Sequence, residues 1–197
     1  MFNLEVGMNE LILLRHGESR YNALLTDQLD SELTPRGVEQ ARTTGRFLRE
    51  QFGHIHNFVG ITSPYQRCLQ TSRIIREETG LEFTVSPGPR EIMLKYLTAE
   101  VKNHREQFPE FIWEHEHDLV FKMETVGEYL ARMEDFHKSL RHEKLVIVSH
   151  GTPVNTIYEF SIGLPPGADT VNFVRNCAIS YSRNGQGVWF GKVVYDE

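Results

Sequence analysis

The sequence predicts an α/β protein with three layers, in which helices cover both faces of a mainly parallel central sheet. Short, continuous apolar runs alternate along the chain with longer segments whose apolar residues recur every three or four positions. The first pattern is typical of strands buried on both faces, the second of amphipathic helices, and their alternation of parallel sheets. A length of 197 residues fits one well-filled core. We therefore expect residues 1–197 to form a single domain with an insertion at about 95–124.

The first strand and the first helix are predicted close to the amino terminus. The apolar run at residues 11–14 predicts a buried strand, and the polar-rich stretch 23–33 predicts a loop. Thr34 then supplies a helix N-cap and Pro35 a first-turn proline, so a helix should begin here. Its apolar residues follow at spacings of three and four until Gly53, which can end it.

A second strand and helix follow the same plan. Residues 58–62 predict a strand, and the next helix has Ser63 as its N-cap in a capping box. This helix extends to Gly80 and carries Arg67 in its first turn, close to the carboxyl end of the preceding strand. Residues 83–85 predict a third strand.

Residues 95–124 show little periodicity and predict a short helix and a loop that lie over the body of the fold. Aromatic side chains of this segment either line a substrate entrance or pack the segment onto the core; they are Phe108, Phe111, Trp113 and Phe121. The run His115-Glu116-His117 lacks companion ligands at a metal-binding spacing, so we expect a solvated loop and no metal site.

The last third of the chain alternates in the same way. The predicted elements are a helix capped by Thr125 and Glu128, a strand at residues 145–148, a helix from Thr152 to Gly163, and two strands near residues 178–182 and 188–194. The dipeptide Asn184-Gly185 predicts the hairpin turn between those last two strands.

The composition limits the partners and the compartment. A formal net charge of −6 argues against a broad binding surface for nucleic acid or for an anionic membrane. Cys68 and Cys177 form neither a CxxC pair nor a disulfide framework, which favours a reducing compartment. We see no secretory signal and no membrane-spanning apolar run. We therefore expect a cytoplasmic protein with no nucleic-acid and no membrane partner.

Cationic and imidazole side chains follow three of the predicted strands. Arg15 and His16 come at the end of the first strand, Arg67 after the second, and His150 after the strand at residues 145–148. Because the carboxyl ends of parallel strands meet at one edge of a sheet, we expect these side chains to lie together. They would form a local positive pocket in an acidic protein, and the planar fork of arginine binds phosphate with two hydrogen bonds. The sequence therefore predicts a phosphate site.

Five sequence blocks, in this order, resemble the histidine phosphatase superfamily, whose fold is phosphoglycerate mutase-like. They are residues 15–18 with Asn22, residues 33–37 with Gln40 and Ala41, residues 63–71, residues 149–151 and residues 176–180. The first block, Arg15-His16-Gly17-Glu18, is similar to the arginine–histidine–glycine signature of that family. Most of the chain takes part in the resemblance, and residues 95–124 depart from it. The resemblance implies a member of the small phosphatase branch.

By this resemblance, His16 is the nucleophile and forms a phosphohistidine intermediate, for which its reactive nitrogen must be unprotonated. The implied proton donor, and later the base that activates water, is Glu91. A structural ion pair is the alternative role of Glu91, and Glu18 is the competing acid. The side chains and backbone implied to bind the phosphoryl group belong to Arg15, Gly17, Asn22, Arg67, His150 and Gly151. We expect no metal and no cofactor.

Three functions fit this site. The favoured one is a metal-independent phosphomonoester hydrolase of the histidine acid phosphatase type, acting on a small phosphorylated metabolite or phosphate ester. A cofactor-dependent phosphoglycerate mutase is the first alternative, but Glu91 is followed by Ile92-Met93-Leu94 and not by the Glu-Arg-His-Tyr block usual in such mutases. A non-catalytic phosphate-binding module is the second alternative. A homodimer is compatible with the sequence, which does not decide the oligomeric state.

Overall fold

The computed structural model describes residues 9–92, 99–101, 104–114, 119–121, 123–167 and 174–195. In chain order its elements are β1 (Glu10–Arg15), α1 (Pro35–Gln51), β2 (Val59–Thr62), α2 (Gln66–Thr79), β3 (Phe83–Val85), β4 (Ala99–Val101), α3 (His104–Gln107), β5 (Ile112–Trp113), β6 (Leu119–Phe121), α4 (Val126–Ser139), β7 (Lys144–Ser149), α5 (Gly151–Ser161), β8 (Ile179–Arg183) and β9 (Gln186–Lys192). None of the described helices is long and apolar enough to cross a bilayer.

The central sheet has seven strands in the order β5-β3-β2-β7-β1-β8-β9. The five strands from β5 to β1 run parallel to one another, whereas β8 is antiparallel to β1 and β9 is antiparallel to β8. In the middle of the sheet, Arg15 of β1 lies beside Ser149 of β7. The predicted α/β class with a mainly parallel sheet is confirmed. The carboxyl ends of β1 and β7 are therefore immediate neighbours.

Successive residues of the central strands face opposite helical layers. Ile12 of β1 belongs to the apolar cluster that contains Leu48 of α1 and Ile75 of α2. The next residue, Leu13, belongs to the cluster formed with α4 and α5, which contains Met133. Full burial of a side chain of this size stabilises a fold by about 1.5–3 kcal/mol. The three-layer arrangement thus follows from strands that are apolar on both faces, as predicted.

The start of α2 differs from the prediction. Ser63 is not the N-cap: Tyr65 occupies that position without a side-chain cap, and α2 begins at Gln66. The backbone N–H of Gln66 donates instead to Oδ1 of Asp30 at 2.7 Å. A carboxylate from a distant loop therefore replaces the local cap, because it binds an N–H group of the first turn and complements the helix dipole there.

The segment 95–124 contains more regular structure than predicted. The short helix is present as α3, but β5 adds to the sheet in parallel beside β3, and β4 pairs with β6 in a separate ribbon. Strands of two and three residues are too short to show an alternating pattern in the sequence. Residues 115–118, and with them His115 and His117, lie outside the described part of the chain.

The aromatic residues of this segment that the structure describes pack onto the core. Phe108 and Phe111 are buried and join the cluster that holds Phe83 of β3. Trp113 is half-buried against the same cluster, and the side chain of Phe121 lies outside the described part of the chain. Of the two interpretations of these aromatics, packing is the one that fits Phe108 and Phe111.

Two glycines let the loop after β1 lie directly on the start of α1. A Cβ atom on Gly17 would stand 2.5 Å from the carbonyl oxygen of Gly37, and one on Gly37 would stand 2.1 Å from that of Glu18. The Thr34 hydroxyl accepts the N–H of Gly37 at 3.0 Å and donates to the Glu18 carboxylate at 2.7 Å. The backbone that carries His16 is thus seated against α1 by contacts that leave no room for a side chain.

We expect Gly37→Ala to lower the free energy of unfolding by about 1–3 kcal/mol, as overpacking of a filled site does. The new methyl group meets backbone atoms, which have nowhere to move. Gly53→Ala is the matched control, because a Cβ there meets nothing within 4 Å. Urea unfolding of both variants measures the difference. Equal stability of the two would show that the contact between the loop and α1 is not tight.

Candidate active site

The structure brings the four predicted strand-end residues into one cluster. Arg15 ends β1, His16 follows it, Arg67 lies in the first turn of α2, and His150 follows β7. The imidazole centroids of His16 and His150 are 5.2 Å apart. All four residues are at most 8% exposed. Two guanidinium groups and two imidazoles therefore share one buried position at the carboxyl edge of the sheet.

His16 is fixed in one tautomer by the carbonyl group of the next residue. Its Nδ1 lies 2.7 Å from the carbonyl oxygen of Gly17, which can only accept, so Nδ1 carries the proton. Nε2 accordingly has a lone pair, and it accepts a hydrogen bond from Nε of Arg67 at 3.1 Å. Burial, together with the charges of Arg67 and Arg15, holds the pKa of His16 well below its ordinary value. Nε2 is thus an unprotonated nitrogen surrounded by positive charge.

His150 has the opposite tautomer. Its Nδ1 lies 3.0 Å from Nη2 of Arg67, which can only donate, so Nδ1 is an acceptor. The proton is then on Nε2, which donates to the Ser63 hydroxyl at 2.8 Å. Burial and the charge of Arg67 hold the pKa of His150 well below its ordinary value. Arg67 therefore donates to both imidazoles and connects them.

Backbone carbonyl groups orient the two arginines. Nη1 of Arg15 donates to the carbonyl oxygen of Val174 at 2.6 Å, and Nη1 of Arg67 donates to that of Leu29 at 2.8 Å. The carboxylate of Asp30 is farther from Arg67, at 3.9 Å, and burial raises the pKa of Asp30. A carbonyl oxygen has no formal charge, so these two hydrogen bonds orient the guanidinium groups without neutralising them.

Glu91 reaches the cluster from the loop that follows β3. It is half-buried, and its Oε1 accepts the backbone N–H of Ile92 at 3.0 Å. Burial raises the pKa of Glu91, while that hydrogen bond and the charges of Arg67 and Arg15 oppose the rise. A carboxyl group with a raised pKa beside two arginines can hold a proton and later release it.

Glu18, the competing acid, is engaged elsewhere. Its carboxylate accepts the Thr34 hydroxyl at 2.7 Å and lies 3.6 Å from Nη1 of Arg36. Both partners belong to the beginning of α1. This geometry gives Glu18 a role in attaching the loop after β1 to α1 and favours Glu91 as the acid.

The remaining predicted phosphate-binding residues surround the cluster. Asn22 is exposed, and its Oδ1 accepts a hydrogen bond from Nδ2 of Asn176 at 3.3 Å. The same Nδ2 donates to the His16 carbonyl oxygen at 3.1 Å. The N–H of Gly17 donates to the Thr71 hydroxyl at 3.0 Å, so in this structure it is used for packing. Gly151 is the first residue of α5, and a Cβ there would stand 3.9 Å from Nε of Arg15.

The sequence did not predict that several residues would organise the site. Ser63 was expected to cap a helix but binds His150, and Asp30 was expected only as part of a loop. Thr71 and Asn176 fall within the family-like blocks, which was the signal available for them. No pattern in the sequence marks Asp30, because its partners come from distant positions in the chain.

The cluster is chemically suited to a dianionic oxyanion group. It combines an unprotonated imidazole nitrogen, two fixed guanidinium groups and a carboxyl group that can exchange a proton. Among the described residues, no three histidine, cysteine or acidic side chains are placed to hold a metal ion together. The arrangement fits covalent catalysis at phosphorus by an imidazole.

Comparison with known proteins agrees with the geometry. The family model described as histidine phosphatase superfamily (branch 1) matches residues 11–196. A relative named "Probable phosphoglycerate mutase GpmB", from Erwinia tasmaniensis, is 30% identical over 92% of this chain and 88% of its own length.

Solved structures share the fold at lower sequence identity. A Mycobacterium tuberculosis protein superposes with a TM-score of 0.68 and 22% identity over 95% of this chain and 99% of its own. Phosphoserine phosphatase from Entamoeba histolytica, in complex with 3-phosphoglyceric acid, superposes with a TM-score of 0.59 and 22% identity over 92% and 94% of the two chains. The match of the family model over nearly the whole chain shows that this protein belongs to the histidine phosphatase superfamily.

Proposed function

We propose that the protein is a metal-independent phosphomonoester hydrolase that acts through a phosphohistidine on His16. The observation that carries this proposal is the hydrogen bond from Nδ1 of His16 to the Gly17 carbonyl, because it leaves Nε2 unprotonated. The low pKa of His16 keeps that nitrogen neutral over the physiological range. A neutral imidazole nitrogen between two arginines is a competent nucleophile toward a phosphate ester.

In the first step, the lone pair of Nε2 attacks phosphorus and the bond from phosphorus to the ester oxygen breaks. Protonated Glu91 gives its proton to that oxygen, so an alcohol leaves rather than an alkoxide. The Arg67 Nε–H that now binds Nε2 would donate to a phosphoryl oxygen beside it. Arg15 supplies further positive charge, which stabilises the transition state.

His150 would become a hydrogen-bond donor to the substrate only after the substrate binds and its Nδ1 takes up a proton. Its Nε2–H is already bound to Ser63, so Nδ1 is the nitrogen that faces Arg67. A dianionic phosphoryl group next to this ring would raise the pKa of His150 and let Nδ1 take up a proton. The protonated ring could then donate to a phosphoryl oxygen, in the role the resemblance implies.

In the second step, water attacks the phosphorus of the phosphohistidine. Glu91, now a carboxylate, takes the proton of that water, and the bond from phosphorus to Nε2 breaks. Inorganic phosphate leaves, the lone pair returns to Nε2, and Glu91 is again protonated. Each group ends the cycle as it began, so the reaction consumes only ester and water.

A mutase is the second candidate, since relatives 30% identical over 92% of this chain carry a phosphoglycerate mutase name. A mutase must return the phosphoryl group to a sugar acid before water reaches it. A phosphatase of the same fold also has a structure with 3-phosphoglyceric acid, so affinity for that compound would not separate the two. Release of inorganic phosphate from small phosphorylated metabolites supports the hydrolase, and isomerised phosphoglycerate without release supports the mutase.

We expect His16→Ala to lose at least about 10⁴-fold in kcat, because no other group can take the phosphoryl group in its place. Acid quenching of the wild type with radiolabelled substrate should trap label on His16. His142→Ala, at an exposed histidine, is the control and should retain full activity. Ordinary turnover by the His16 variant would exclude the mechanism, and phosphate binding without any turnover in the wild type would indicate a binding module.

Glu91→Gln should slow alkyl phosphates by about 10²–10⁴-fold, the usual contribution of general acid–base catalysis. Aryl phosphates should lose far less in the phosphorylation step, because a phenolate leaves without a proton. The measurement is kcat/KM over a series of esters whose alcohols differ in pKa. Equal losses over the whole series would argue against proton donation by Glu91.

The pH dependence of kcat/KM follows from the two pKa shifts. Activity on an alkyl phosphate should fall as pH rises through the raised pKa of Glu91, since the acid form is required. On the acid side it should persist well below pH 6.5, where an ordinary imidazole would already be protonated. Glu91→Gln should remove the alkaline decline when tested with the same ester. A decline that persists unchanged in the variant would belong to another group.

A further inference from the structure

Glu91 lies in a segment without helix or strand, between β3 and the end of the described loop at residue 92. Its carboxylate accepts the N–H of Ile92, and side chains of other elements hold the turn that precedes it. Ser149 of β7 donates to the carbonyl oxygen of Pro89 at 2.5 Å. Gly88 packs so closely on Phe136 of α4 that a Cβ would stand 2.1 Å from its ring. Two neighbouring elements thus hold the turn that precedes Glu91.

Arg132 of α4 makes the most extensive contact with this turn. Its Nη1 donates to the carbonyl oxygens of Gly88 at 2.7 Å and of Arg90 at 3.2 Å. Its Nε and Nη2 donate to the two carboxylate oxygens of Glu124 at 2.6 and 2.5 Å. One guanidinium group therefore binds the backbone on both sides of Pro89 and, with its other nitrogens, a carboxylate.

Glu124 connects Arg132 to Arg90, because its carboxylate binds both side chains. Its Oε1 also accepts Nη2 of Arg90 at 2.5 Å, so the residue next to Glu91 is held by the same carboxylate. The side chains of Glu124, Arg132 and Arg90 are 9%, 14% and 16% exposed. Charged hydrogen bonds this short and this shielded from water are among the stronger polar contacts in proteins. The Arg132–Glu124–Arg90 triad thus links the turn before Glu91 to α4 through shielded, charged hydrogen bonds.

We propose that Arg132 and Glu124 are positioning residues, which hold the carboxyl group of Glu91 at the distance needed for proton transfer. This inference rests on the proposed role of Glu91 as the proton donor. Neither residue needs to touch the substrate, because Arg132 acts through the carbonyl groups of Gly88 and Arg90. A misplacement of about 1 Å can cost about 10²-fold in rate, so loosening the turn should affect proton transfer first.

Arg132→Lys is the primary test. Lysine keeps the positive charge but has no planar fork, so it cannot bind both Glu124 oxygens and the two carbonyl groups together. We expect kcat/KM for alkyl phosphates to fall by about 10–10²-fold and that for aryl phosphates to stay within about 3-fold. Glu124→Gln, which keeps the shape and removes the charge, should give the same selective loss even if Arg132→Lys folds poorly.

Arg76→Lys is the matched control. Arg76 binds Glu82 through the same two-nitrogen fork, at 3.0 Å for both contacts, but on the exposed side of α2. This variant should leave both kinds of ester unaffected. Loss of activity in the control would show that the assay responds to any broken arginine–carboxylate pair, and would overturn the proposal.

A double-mutant cycle separates positioning from a general structural role. If Arg132 acts through Glu91, Arg132→Lys in a Glu91→Gln background should lower alkyl-phosphate kcat/KM no further. Multiplied losses in the double variant, or equal losses for alkyl and aryl esters in the single one, would overturn the proposal. If Glu91→Gln itself does not separate the two ester classes, the proton-donor role and this inference both fail. If Glu91→Gln separates them and Arg132→Lys does not, only this inference fails.

Discussion

The parallel pairing of β1 with β7 at the centre of the sheet is the constraint on which the site depends. It places Arg15 beside Ser149, and so the residues that follow each strand, His16 and His150, emerge next to each other. Both strands are apolar on both faces, and each face is covered by a pair of helices. A shift of the register would expose that core and separate the imidazoles in one step. The strand pairing that stabilises the sheet therefore also sets the geometry of the site.

Burial of this cluster creates the chemistry that we propose. Water would stabilise a protonated imidazole, but the core excludes it and the arginines repel a further proton, so the pKa values of His16 and His150 fall. Arg15 and Arg67 each donate to a backbone carbonyl oxygen, a neutral partner that does not cancel the charge of the guanidinium group. Burying several positive charges together costs free energy, and binding of a phosphoryl dianion at this place would offset that cost.

The proposed nucleophile and the proposed acid are held by different sets of contacts. The carbonyl group of Gly17 orients the His16 ring, and the lack of side chains at Gly17 and Gly37 lets the loop that carries His16 pack directly on α1. The carboxyl group of Glu91 also accepts the N–H of its neighbour Ile92, but contacts from α4 and β7 hold the turn that precedes it. The strand β7 contributes to both, because His150 follows it and its Ser149 side chain holds the turn before Glu91.

The sequence by itself determined the α/β class, most helices and strands, and the residues that meet at the sheet edge. These follow from local patterns, namely apolar runs, helical spacing, caps at Thr34 and Thr125, and polar residues at strand ends. Only the tertiary structure decided which nitrogen of each histidine carries the proton, that Ser63 binds His150 rather than capping α2, and that Asp30 caps α2 in its place. It also placed the strand β5 on the sheet and Arg132 on the turn before Glu91. Except for the bond between His16 and Gly17, these contacts join residues tens of positions apart, and no local pattern records which distant group will be within hydrogen-bonding distance.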